Sequence, residues 1–531
     1  MMESEMLQKA RIFEETAEKQ ITAEERPAFH LTPRTGWMND PNGLIWADGL
    51  YHLFYQYYPY DTHWGPMHWG HVVSRDLLHW TYLPAAMAPD SACDARGCFS
   101  GSSVLLPDGR MLLVYTGCSR EHPEIPEDAV PAGEDVILQN QCAALQEGDE
   151  FVKYSGNPVI SGASLPAGSS RIDFRDPKII RAADGSWLCV VSCRPADGSG
   201  QILLYRSEDC LHWTYKSVLA SNQGRFGRMW ECPDFFELDG SSVLLTSPQD
   251  MLPDGFEYAS GNGTLCLTGV YDEESGTFTE KTNQAVDYGI DFYAMQTVVS
   301  PDGRRIMIGW MQNWDTCTYR REHQKWFGQM SLPREISIRN GRLFQQPVRE
   351  LKALREGSGV RYNEILSSET RSLPGVSGRL LDLELTIRAA EKTENAGKEA
   401  GENAGKEAGE NAGYEAFTMR FAEKGPYYML VTYCPRTKVL RMDRKHSDFR
   451  RGVLYERSCI AETHEGALKL RLILDRFSAE LFVNDGEKVM TFTFYTEDDA
   501  EGISFTAEGR LRLEIAAFRL NAATADDSRT D

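Results

Sequence analysis

A surplus of positive charge is the first thing this 531-residue sequence lacks: 56 Lys and Arg stand against 78 Asp and Glu, a net charge of −22 at pH 7. A protein that tracks phosphates needs a basic stripe, so no nucleic-acid partner is expected. Also missing is any apolar run of the ~18 residues that a membrane-spanning helix requires, so no membrane partner is expected either. The start, Met1 to Gln20, lacks the basic opening and apolar core of a secretory signal. It reads as an acidic helix, and the expected location is cytoplasmic.

Cysteine is not scarce, at twelve, but what is absent is a framework: the residues scatter from Cys93 to Cys459 through a large chain, which predicts free buried thiols. Cys189 and Cys193 share one face of an apolar, strand-like stretch but match no zinc or redox spacing, so no metal is assigned to them. With 41% hydrophobic and 25% charged residues the chain reads as soluble and globular, long enough for two or three domains.

What is present is self-similarity. Ser74-Arg-Asp-Leu-Leu-His-Trp80 returns as Ser207-Glu-Asp-Cys-Leu-His-Trp213. Asp40, Asp176 and Glu231 each lie eight residues ahead of an Asp-Gly pair, at Asp48-Gly49, Asp184-Gly185 and Asp239-Gly240, and Ser100 has the same offset from Asp108-Gly109. Asp291 precedes Asp302-Gly303 by eleven. A β-rich apolar run follows each pair, and Asp-Gly between apolar runs is the strongest short hairpin signal. The five starts, at 40, 100, 176, 231 and 291, are spaced by 60, 76, 55 and 60 residues, which suits four-stranded propeller blades with generous loops. The first strand of a blade lies innermost, so these starts converge on one end of the central channel.

Beyond about Pro347 the pattern changes to strict alternation, as in Leu381-Leu383-Leu385-Ile387 and Leu468-Leu470-Leu472-Leu474, with further strands at 427–433, 479–483, 489–495 and 511–520. A β-sandwich packs such strands. The expected organisation is all-β: an N-terminal helical extension over 1–28, a five-bladed propeller over 29–350, a β-sandwich over 351–522 and a disordered tail over 523–531. Within the sandwich, Glu394-Asn-Ala-Gly-Lys-Glu-Ala-Gly401 repeats with a period of eight and no apolar face, which predicts a loop over 393–413.

The carboxylates carry the chemistry. In Trp37-Met-Asn-Asp-Pro-Asn-Gly43, Pro41 pushes Asp40 toward extended geometry and so aims its carboxylate. Phe174-Arg175-Asp176-Pro177 repeats the Asp-Pro device beside an arginine that favours an ionised carboxylate. Glu231 sits between Trp230 and apolar neighbours, a setting that raises a carboxyl pKa as a general acid requires. One ionised and one protonated carboxyl across a bond form the minimal machine for glycoside hydrolysis, and a third can hold sugar hydroxyls.

Together these residues resemble glycoside hydrolase family 32, the invertases, sucrose-6-phosphate hydrolases and fructanases, over roughly residues 29 to 520. The likeness rests on Trp37 to Gly43, Phe99-Ser-Gly-Ser102, Phe174-Arg-Asp-Pro177 and Glu231-Cys-Pro-Asp234, in the family's order, with Asp475-Arg-Phe-Ser-Ala-Glu480 in the sandwich. It implies a five-bladed propeller followed by a β-sandwich, with Asp40 as nucleophile, Glu231 as acid/base and Asp176 as the stabiliser of fructosyl hydroxyls. Trp37, Asn39, Gln56, Trp64, Phe99, Ser100 and Arg175 are the implied substrate contacts. No metal or organic cofactor is implied. A retaining mechanism would set the Asp40 and Glu231 carboxyls about 5 to 5.5 Å apart.

The expected partner is a small sugar: sucrose, sucrose-6-phosphate or a short fructo-oligosaccharide. Asp234 resembles the sucrose-type and sucrose-phosphate members, and Arg320, Arg321, His323 and Lys325 form a basic cluster that could meet a phosphate. The sequence leaves open a fructosyltransferase using the same intermediate, a non-catalytic carbohydrate-binding propeller, and an inverting arabinan- or xylan-type glycosidase. A homo-oligomer is compatible with all of these.

Overall fold

Strand, tight turn, strand recurs five times in the computed structural model, which describes residues 4–120, 137–321, 323–390, 413–448 and 454–522. The five first strands are Gly36–Ala47, Gly97–Leu105, Ser169–Arg181, Met229–Leu238 and Tyr293–Val299, and each opens an antiparallel sheet with three further strands in chain order. Each first strand packs against the first strand of the next blade, and the fifth returns to the first, so five blades close a ring. The closure is stitched by backbone: Gly36 and Trp37 pair in parallel with Trp326 and Phe327.

The Asp-Gly pairs make the hairpin turns, in two ways. Asp48-Gly49 and Asp239-Gly240 have positive φ at both residues (52° and 77°, 49° and 77°), the type I′ geometry that matches strand twist. At Gly109, Gly185 and Gly303 only the glycine is left-handed (φ 86°, 88° and 85°), closing longer loops. The Ser-x-Asp repeat is a turn between the third and fourth strands. Ser74 Oγ accepts from Leu77 N at 2.8 Å while Asp76 Oδ1 accepts from His79 N at 2.8 Å, and Ser207 and Asp209 do the same for Cys210 N and His212 N at 2.9 and 2.8 Å. Apolar side chains fill the space between blades, Leu112 and Val114 against Ile179, Val191 and Leu203, for example. All twelve cysteines are free thiols.

The chain divides into two compact units, Met1–Ala353 with Ala522–Asp531 and Leu354–Asn521. In the first, a helix over Glu5–Glu18 precedes the propeller, its N-terminus capped by Ser4 Oγ accepting from Leu7 N at 3.1 Å. The second is a two-sheet β-structure. The strand expected over 511–520 is part of a longer one, Gly502–Arg519, because it serves both sheets: its later residues pair with Val360–Ser367 and Leu381–Ala389, its earlier ones with Tyr414–Lys424. The tract at 393–412 and the tail at 523–531 lie outside the described residues.

Candidate active site

Every first strand loses register with its neighbour. The breaks fall between Met38 and Pro41, Phe99 and Gly101, Arg175 and Lys178, Glu231 and Asp234, and Tyr293 and Gln296. A bulge bends the strand and re-aims its side chains. Here Asp176, Cys232 and Ala294 take φ values of 65°, 50° and 53°. Asp176 is therefore left-handed, not extended as the Asp-Pro reading predicts: the bulge overrides the preference that Pro177 imposes. The common eight-residue offset also hides different placements. Asp40 and Asp176 lie inside their bulges, whereas Glu231 comes just before its own.

The bulges surround a pocket of about 310 Å³, to which all five blades contribute. Asp40 is buried; its Oδ2 accepts from Ser100 Oγ at 2.6 Å and lies 3.5 Å from Cys232 Sγ, and its Oδ1 accepts from Asn39 Nδ2 at 3.0 Å. Asp176 Oδ2 accepts from the Cys232 backbone N–H at 3.0 Å, and Asp176's own N–H donates to Thr116 Oγ1 at 2.9 Å. Glu231 is gripped on both oxygens. Arg175 Nε and Nη2 each lie 2.9 Å from Oε1, while Gln249 Nε2 and the Tyr293 hydroxyl donate to Oε2 at 2.8 and 2.7 Å. Its spatial neighbours are thus polar, correcting the apolar surroundings suggested by Trp230, whose indole instead donates to Phe226 O at 2.9 Å.

Burial and mutual repulsion set the electrostatics. Desolvation raises the pKa of Asp40, the Ser100 hydroxyl opposes it, and the Glu231 charge raises it further. Asp176 is pushed up to about 7, chiefly by burial, against which Arg175 works while Glu231 and Asp40 add to the rise. Burial also works against the charge on Arg175, but Glu231, Asp176 and Asp173 outweigh it and hold the guanidinium protonated. A compact site with three acids and one cation can support proton transfer and nucleophilic attack on a single bond.

Family models for the N-terminal and C-terminal domains of glycosyl hydrolases family 32 match residues 30–347 and 350–522. The chain belongs to glycosyl hydrolase family 32. It is 36% identical to an Escherichia coli sucrose-6-phosphate hydrolase over 487 residues, 91% of each chain, and 34% identical to an E. coli raffinose invertase over 91% of this chain and 92% of that protein. Among solved structures, a Bombyx mori GH32 β-fructofuranosidase superposes with a TM-score of 0.77 at 31% identity, covering 97% of this chain and 98% of that one.

The family 32 pocket gathers Asn39, Asp40, Gln56, Trp64, Phe99, Ser100, Arg175, Asp176 and Glu231 on its lining. Trp37 is the exception among the expected site residues. Its ring is buried against Phe327 at 4.9 Å, and its indole N–H donates to Asn39 Oδ1 at 2.7 Å, so it holds Asn39 rather than facing the pocket. Asp234 does not line the pocket: fully buried, it lies 3.1 Å from Lys178 Nζ and accepts from Thr297 N at 2.6 Å. The basic cluster is partly spent on ties, with Arg320 Nη1 donating to Thr62 O at 2.7 Å and Lys325 Nζ donating to Gln20 O. Sequence reasoning missed Gln139, Asp173, Gln249 and Trp314, which line the family 32 pocket, and Tyr293, which bonds Glu231. Only Tyr293 carried a signal, since it lies in the fifth blade's start, Asp291-Phe-Tyr-Ala294.

Among the described residues no helix is long and apolar enough to cross a membrane. This family 32 member is a glycoside hydrolase, and its partner is a sugar.

Proposed function

We propose that the protein is a retaining β-fructofuranosidase that removes terminal fructose from sucrose, sucrose-6-phosphate or short fructo-oligosaccharides. The observation that carries this reading is the convergence of Asp40 and Glu231 on one pocket, each carboxylate held by its own set of hydrogen-bond donors. Asp40 faces the pocket with Ser100 directing one oxygen, and Glu231 is held by Arg175, Gln249 and Tyr293.

In the first step Asp40 attacks the anomeric carbon, the bond from that carbon to the leaving oxygen breaks, and Glu231 gives its proton to that oxygen. In the second, Glu231 takes a proton from water, the water oxygen bonds to the anomeric carbon, and the bond to Asp40 breaks, so fructose leaves with retention. Asp176 accepts hydrogen bonds from fructosyl hydroxyls, which strengthen as positive charge develops on the ring. A volume of about 310 Å³ stands at the small end of ligand pockets, which run from roughly 300 to 1,000 Å³, and supports exo-action on short sugars. Likeness to the E. coli sucrose-6-phosphate hydrolase and raffinose invertase supports a sucrose-like donor, and a cytoplasmic location belongs to the same proposal.

The test is fructose release by purified protein from sucrose, sucrose-6-phosphate and kestose at matched concentrations, with the anomer first released followed by NMR. Release of the β anomer is the expected result. Release of the α anomer would overturn the mechanism, and no release from any of the three would overturn the function. Transfer to a sugar acceptor exceeding hydrolysis would favour the transferase instead.

A further inference from the structure

Two aromatic residues on the pocket lining, Trp64 and Trp314, stand on irregular segments rather than strands: Trp64 between Leu50–Tyr58 and His68–Ser74, Trp314 after Arg305–Trp310. Trp64 is 45% exposed and meets Phe99 only edge-on, at 5.8 Å, so its own burial does little to fix it. The position of its segment must come from behind.

Behind it lies the N-terminal helix, which the family domain does not include, since the matched region begins at residue 30. The helix is anchored to the propeller: Ala85 N donates to Glu14 Oε1 at 2.9 Å, Arg11 Nε donates to Ala85 O at 3.0 Å, and Arg34 Nε donates to Glu18 Oε2 at 2.6 Å. From this anchored base Lys9 and Phe13, one turn apart on one face, meet the same ring. The Phe13 ring packs edge-on to Tyr60 at 5.1 Å, and Lys9 Nζ stands 5.5 Å over it. Tyr60 lies four residues ahead of Trp64 and meets Tyr58 and His68 edge-on, at 5.5 and 5.8 Å. The second rim segment is tied to the same N-terminal stretch, by Lys325 Nζ donating to Gln20 O and Trp326 Nε1 donating to Glu25 O at 3.0 Å. The two rims are also tied to each other, through the bond from Arg320 to Thr62 O.

We propose that residues 5–25 are a positioning element for substrate: by bracing Tyr60, they set Trp64, against which a sugar packs on the pocket rim. Phe13 is the residue that transmits the position, without touching substrate. This rests on the pocket being the glycosidase site, and the test separates the two.

Four variants decide it: Phe13→Ala, Phe13→Leu, Trp64→Ala and the Phe13→Ala/Trp64→Ala pair, each assayed on sucrose and followed by hydrogen–deuterium exchange. Phe13→Ala should raise KM about three- to tenfold with kcat within about twofold, the size expected of one lost aromatic contact, and should speed exchange over residues 60–65. Phe13→Leu should restore most of the KM. Trp64→Ala should raise KM by itself, and adding Phe13→Ala to it should change KM no further, because the two act through one contact chain. An unchanged KM in Phe13→Ala, or losses that multiply in the pair, would overturn the proposal. If the wild-type protein releases no fructose the function above fails, and unchanged exchange over 60–65 in Phe13→Ala then overturns the positioning role while faster exchange upholds it.

Discussion

Ser100 Oγ donates to Asp40 Oδ2 at 2.6 Å, a bond between the first strands of two neighbouring blades. It favours the ionised carboxylate against a burial that favours the neutral one. Asp40 must be ionised to attack, so the bond widens the pH range in which it can. In Ser100→Ala the pKa of Asp40 should climb further and the acid limb of the kcat/KM profile should move to higher pH. At the optimum, kcat/KM should fall about tenfold or more, as the loss of a hydrogen bond to a charged group implies. A pH–rate profile of both proteins checks both effects.

Asp40→Asn and Glu231→Gln should each lower turnover by several orders of magnitude while leaving the circular dichroism spectrum unchanged. Near-normal activity in either would remove that residue from the mechanism.

Asp176→Asn should be badly impaired and yet more stable near neutral pH. In the folded protein Asp176 is raised from an ordinary 3.8 to about 7, so between those values the folded state binds more protons than the unfolded one. Stability therefore falls as pH rises through that window. Asn keeps an oxygen for the Cys232 N–H, and Arg175 keeps Glu231 and Asp173. The melting temperature of the variant should exceed that of wild type at pH 8, and the gap should close toward pH 4. An equal gap at both pH values would mean that ionisation of Asp176 costs nothing.

Tyr293→Phe should lower kcat about tenfold with little change in KM. The hydroxyl touches Glu231 Oε2 at 2.7 Å and does not line the pocket, so its loss frees the orientation of Glu231 rather than weakening the grip on sugar. Steady-state kinetics on sucrose separates the two.

Much of this was legible in the sequence because propeller repeats are local. Asp48-Gly49 and Asp239-Gly240 announce hairpins through a turn geometry that Asp-Gly favours, and the matched offsets of Asp40, Ser100, Asp176 and Glu231 placed all four on one pocket. What stayed hidden depends on pairing across strands. Gln139 and Gln249 reach the site from strands without any offset rule, and Glu231 met Arg175, not the apolar residues beside it in the chain. The left-handed Asp176 was hidden for the same reason: a bulge is a disagreement between two strands, and one strand read alone does not contain it. Asp234 carried a family likeness in its motif, but only the fold reveals that Lys178 and Thr297 face it.

The pairing of Gly36 and Trp37 with Trp326 and Phe327 joins residues 290 positions apart, three residues ahead of Asp40 in one case. A ribosome delivers the strand that bears Asp40 long before the segment that fastens it. Until that segment arrives, the first blade is an open edge and the arc of blades has no enclosed pocket for Asp40 and Glu231 to share. Contacts so distant in sequence form late and slowly. Activity should thus appear during refolding as a single terminal event, with no partially active species before the ring is shut.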